Sequence, residues 1–161
     1  MLILSSLIFY YLITQLYKMS FVDFITHQGR RINREAFIHL VQVSRSDGKL
    51  GVPEKEMLHK EGRKFGLTDP EIDQIITMEK EHNYHAPYSL EDKFEHLHNI
   101  AEVILADEIV EDNEIKMLRK FAIEAGFDYS KIDGIIEVMI EGIKAGDSDE
   151  RLFRKFKKAL R

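Results

Sequence analysis

Asp47 and Glu54 stand seven residues apart, and Asp107 and Glu114 repeat that spacing sixty positions later. Each pair flanks a chain reversal between two apolar-periodic segments, so its two carboxylates can converge on one small volume. Hard oxygen donors in that arrangement suit a divalent cation such as calcium. The run Asp47, Gly48, Lys49, Leu50 and then Glu54 also matches the second half of a calcium EF-hand loop. The first half fails, because Val43 and Arg45, or Val103 and Leu105 in the second copy, stand where carboxylates are needed. Independent EF-hands are therefore excluded. There remains a shared site in which Asp47, Glu54, Asp107 and Glu114 meet across the two turns around one or two ions, since four clustered carboxylates without a cation repel. The competing reading is local. Asp47 and Asp107 cap turns, while Glu54 and Glu114 occupy first helical turns, where the dipole favours an acid by about 0.3 to 1 kcal/mol. Glu111 and Asp112 fit either role.

Other chemistry is sparse. His82 and His85 are three apart, but Pro87 follows, and two ligands alone make a poor metal site, so they read as surface or turn histidines. His96 and His98 lie two apart on one helix and face different directions. There is no Gly-rich phosphate loop, no Gly-x-Ser-x-Gly and no His-Glu-x-x-His, since Lys60 and Glu61 follow His59. A non-enzymatic chain is expected.

The elements that position the acids come in two copies. Residues 43–76 align with 103–136 without a gap, and eleven of the 34 pairs are identical. The matches include Leu58 with Leu118, Gly66 with Gly126, and Ile72, Ile75 and Ile76 with Ile132, Ile135 and Ile136. Each copy reads helix, acidic turn, helix, glycine stop, helix. Two such units bury their apolar faces most simply against each other, which predicts an all-α bundle of about seven to nine helices formed from two tandem three-helix repeats.

Within that frame, a short helix is expected near 20–26 and a longer one over 33–46. Pro53 suits the first turn of a helix running to Phe65, and Thr68 with Glu71 forms a capping box for the next. Tyr84 to Tyr88 is the main break, after which Ser89 caps a strongly amphipathic run to Leu105. Helices over 112–125 and from Ile132 to Ile143 follow, and Gly146 with Ser148 separates them from a basic tail.

The segments SRSDGKLGVPEKEMLHKEGRKFGL and ILADEIVEDNEIKMLRKFAIEAGF resemble the TerB-like family associated with tellurite resistance, whose hallmark is a helix ending in Ala-Asp-Gly, a short turn and a Glu-bearing helix. The resemblance spans about 33–145. Ala106 and Asp107 match the hallmark, whereas Ser46 replaces alanine in the first copy and Glu108 replaces glycine in the second. It implies an all-helical fold and a non-enzymatic, stress-associated binding role near membrane systems, with cation binding at the acidic positions.

Composition narrows the partners. The net charge of −5 conceals six basic and no acidic residues in 151–161, which leaves 1–150 at −11. An acidic body repels phosphate backbones, so nucleic acid is an unsuitable partner and cations are suitable ones, with a protein partner as the other occupant the acidic turns allow. The absence of cysteine removes disulfides and thiolate sites, and fits a cytoplasmic setting. The uncharged stretch Leu2 to Tyr17 defines an N-terminal segment, 1–18, ahead of a domain over 19–161. It reads as a start assigned upstream of Met19, a membrane anchor, or a helix docked on the domain. In the tail, Leu152, Phe153, Phe156 and Leu160 share one helical side. That side either lies on an anionic membrane surface or packs on the domain while the cations offset the acidic body. The two functional readings are thus a stress-associated module that binds a divalent cation, and a membrane-associated adaptor that binds protein without a metal.

Overall fold

Pro53 in the first turn and Gly66 after the last bracket the second helix of the computed structural model, which describes residues 33–106 and 109–161. Helix α1 covers 33–44. It is followed by α2 (Val52–Lys64), α3 (Asp69–Met78), α4 (Leu90–Ile104), α5 (Asp112–Glu124), α6 (Ile132–Lys144) and α7 (Asp149–Ala159). Short 3-10 turns at Glu79–Glu81 and Tyr129–Lys131 precede α4 and α6. The protein is thus an all-α bundle, with seven α-helices and no strand among the described residues. The helix expected near 20–26, the stretch Leu2 to Tyr17, and Asp107 lie outside them.

The duplication is visible in three dimensions. Buried, half-buried and exposed positions coincide residue for residue between 61–70 and 121–130. Both copies close their middle helix in one way. Gly66 (φ 78°) and Gly126 (φ 80°) take the left-handed conformation that an L side chain resists. The next amides, Leu67 and Phe127, donate back to the Gly62 and Ala122 carbonyls at 3.0 and 3.2 Å. The predicted capping box is formed, with the Thr68 amide donating to Glu71 Oε2 at 2.8 Å.

Helix α6 packs against α7, α5 and α4, while α2 packs against α3 and α4. Phe37 of α1 meets Phe65 at 5.8 Å between ring centroids, which joins the first helix to the end of α2. The repeat isoleucines Ile72, Ile75, Ile132, Ile135 and Ile136 are all buried. In the basic tail, Leu152 and Phe156 are fully buried, and the Phe156 ring packs on Phe94 and Phe127. Burying each contributes about 1.5–3 kcal/mol. Asp147, in the turn between α6 and α7, accepts from Lys155 Nζ at 2.5 Å and pairs with Arg151 at 3.2 Å.

Candidate functional site

In the second repeat the acidic corner is built on Glu114, the third residue of α5. Its Oε2 accepts from the Glu111 amide at 2.9 Å and so caps the helix. Its Oε1 faces α2, where Lys64 donates at 2.7 Å and Lys60 at 3.1 Å. Lys60 also meets Glu111 Oε1 at 2.8 Å, and Lys64 donates to the Ile104 carbonyl at the end of α4 at 3.2 Å. Glu114 is buried, which by itself raises a carboxyl's pKa. The hydrogen bonds from Lys64, the Glu111 amide and Lys60 together outweigh that penalty and hold it down at about 2.

The first corner has a related plan and a different setting. Lys120 of α5 reaches Asp47 Oδ2 at 2.6 Å and donates to the Ser44 carbonyl at 3.2 Å. Ser44 and Ile104 are equivalent positions, as are Lys60 and Lys120. Each turn receives an ammonium from the opposite repeat that bridges a helix-end carbonyl and an acid, but in the second corner this is Lys64 rather than Lys60, the equivalent of Lys120. Asp47 is 83% exposed. Glu54 is exposed as well, and its carboxylate folds back over Gly51, where a Cβ on that residue would strike it. Among the described residues, no group of three or more His, Asp or Glu side chains has metal-holding geometry. Asp47 thus pairs with Lys120 and Glu114 with Lys60 and Lys64 across the repeats, Glu54 is exposed, and Asp107 lies outside the described residues.

Glu61 is the acid that the spacing argument overlooks. It is fully buried in α2, and neither carboxylate oxygen has a hydrogen-bond partner. Lys64 Nζ stands 3.5 Å from Oε2. Burial, with a further push from the Glu114 charge, raises this carboxyl to about 7 against the pull of Lys64 and Lys60. A protonated Glu61 leaves two anions, Glu111 and Glu114, facing two ammonium groups. The repeat alignment carried the signal, because Glu61 stands opposite Phe121, a fully buried core residue.

A second polar cluster joins α1 and α4. The rings of His39 and His96 stack at 4.4 Å, and the Tyr84 hydroxyl lies 3.2 Å from His96 Nδ1. Tyr84 also packs on Phe121 at 5.0 Å. Burial, and then the neighbouring His96, lower His39 to about 4, and burial raises Tyr84 to about 12. Sequence spacing does not reveal this cluster, since 57 residues separate its histidines. His82 and His85 are exposed, as expected, and His98 is buried against Phe94.

The outer side of α5 and α6 carries an open groove of about 220 Å³, lined by Lys116, Arg119, Lys120, Ile123, Tyr129 and Asp133 among others. Ile123 is 45% exposed and Tyr129 80%. Arg119 pairs with Asp133, as His59 pairs with Asp73 at 3.0 Å in the first repeat. No family model, curated protein or solved structure matches the chain.

Proposed function

We propose that this chain is a non-enzymatic helical module that acts by binding a protein partner, with its acidic turns serving as joints between the two repeats. The observation that carries this reading is the crossed lysine pattern, in which Lys60 and Lys64 fill the second acidic corner and Lys120 the first. An ammonium group already sits among the oxygens that a divalent ion would need. The described groups with strongly shifted pKa values are buried or half-buried, and they face neighbouring side chains across helix interfaces, which suits a structural role. The open groove on α5 and α6 supplies surface for a partner. The stress association comes from the TerB-like resemblance alone.

For the membrane-tethered form of this adaptor, no helix among the described residues is long and apolar enough to cross a membrane. Leu152 and Phe156, which a surface-lying tail would present to lipid, are buried in the bundle. That burial favours the tail as a domain element.

The cation reading has one observation of its own, the Glu61 carboxylate buried without a hydrogen-bond partner beside Glu114. Calorimetric titration of the full chain with calcium chloride, paired with thermal unfolding, separates the two readings. The joint reading expects no binding heat and no rise in Tm. Saturable heat and a raised Tm, both abolished by Glu61→Gln, would return the module to the cation class.

A further inference from the structure

The groove on α5 and α6 has a counterpart in the first repeat, and the two have diverged in chemistry. At the equivalent positions of α2 and α3, Arg63 grips Asp69 with two hydrogen bonds at 2.9 and 3.1 Å, and His59 reaches both Asp69 and Asp73. These ion pairs tie α2 to the start of α3 and give the hollow beside them, lined by Glu56, His59 and Arg63, polar walls. Sixty residues later Ile123 replaces Arg63 and Tyr129 replaces Asp69, so that ion pair is gone. The charge inverts as well. Glu56, Asp69 and Asp73 outnumber Lys60 and Arg63 in the first copy, whereas in the second Arg119 and Lys120 are met by Asp133 and Asp47 and the lining Lys116 adds one further positive charge.

A tyrosine that is 80% exposed beside an exposed isoleucine, in place of an ion pair, is expensive surface for a lone domain, and tyrosine is prominent among the residues that anchor partners. Resting on the partner-binding reading above, we infer that this groove docks an acidic peptide segment of another protein, which sets one apolar side chain between Ile123 and Tyr129 and a carboxylate on Lys116. The sign of the walls selects the occupant. The chain's own Leu2 to Tyr17 stretch is apolar but uncharged, and its tail is basic. A basic rim on an otherwise acidic body also steers an acidic segment to this face and away from the rest.

The test pans a phage-displayed library of random peptides against the full chain. A variant carrying Ile123→Arg with Tyr129→Asp, the pair that the first repeat uses, is compared in parallel. Enriched peptides are expected to carry Asp or Glu around an aliphatic or aromatic residue. Their affinity for the variant should fall by about tenfold or more, as when a hot-spot pair is removed, at an unchanged Tm. Enriched acidic peptides that bind both proteins equally would overturn the groove and leave the partner-binding reading standing. No enrichment at all would count against both. Self-association seen by sedimentation and lost in the variant would make a second copy of the chain the occupant and overturn the peptide assignment.

Discussion

Glu54 and Glu114 are the same residue at the same step of the two repeats, yet one is exposed over Gly51 and the other is buried beneath two lysines. Glu61 and Phe121 make the reverse contrast, with equal burial and opposite chemistry. The pairs teach that duplication preserved the helices and their turns, while the electrostatics of the two copies separated. The second copy's corner became the charged joint of the molecule. The first copy's corner stayed a solvated turn with one long-range ion pair.

Removing the two equivalent glutamates breaks the comparison most directly. Glu114→Ala removes the buried carboxylate that Lys60 and Lys64 share and uncaps α5, so unfolding in urea should show a loss of about 3–5 kcal/mol. Glu54→Ala should cost only about 0.3–1 kcal/mol, the helix-dipole share. Equal losses would mean that the lysines do not hold the corner. The acid limb carries a matching sign. Because the Glu114 pKa is depressed, its stabilisation is present above the ordinary carboxyl range and is lost as pH falls from 4.5 towards about 2.

The second prediction converts Glu61 into the kind of residue found at its partner position. Its pKa is raised, so the folded state holds a proton that the unfolded chain releases, and stability falls as pH rises from 4.5 through about 7. Glu61→Met should therefore stabilise the protein by about 1–4 kcal/mol above neutral pH, as replacing buried charge with apolar volume often does. The gain should shrink towards pH 4.5. A loss of stability at pH 8, or a gain independent of pH, would show that Glu61 is a favourable member of the lysine cluster.

How far the sequence reveals this arrangement depends on the range of the interaction concerned. The capping box at Thr68 and Glu71, the stops at Gly66 and Gly126, and the Ser89 cap are set by neighbours within a few residues, and each forms where spacing places it. The repeat isoleucines are legible because helical phase decides their burial. The joint between the copies was legible only in half. Spacing identifies the acids Asp47 and Glu114, but not that the cations facing them are Lys120, Lys60 and Lys64, since 40 to 76 residues separate the donors from the acceptor groups they hold in each corner. Clustered acids call for positive charge, and spacing does not say whether a bound ion or the protein's own lysines supply it. The His39–His96 stack escaped for the same reason, because each ring is ordinary within its own helix.

The smallest effect sharpens the contrast through its response to salt. Asp47→Asn removes an acid that is 83% exposed and leaves Lys120 its bond to the Ser44 carbonyl, so the cost should be only about 0.2–1 kcal/mol in dilute buffer. Raising ionic strength from 0.1 to 1 M shortens the screening length from about 10 to about 3 Å, which acts on charges that water reaches. The Asp47→Asn cost should then vanish, while the Glu114→Ala cost, set by burial and direct hydrogen bonds, should persist. If both costs fell in parallel with salt, the two corners would share one electrostatic environment, and the asymmetry between the repeats would lie in side-chain exposure alone.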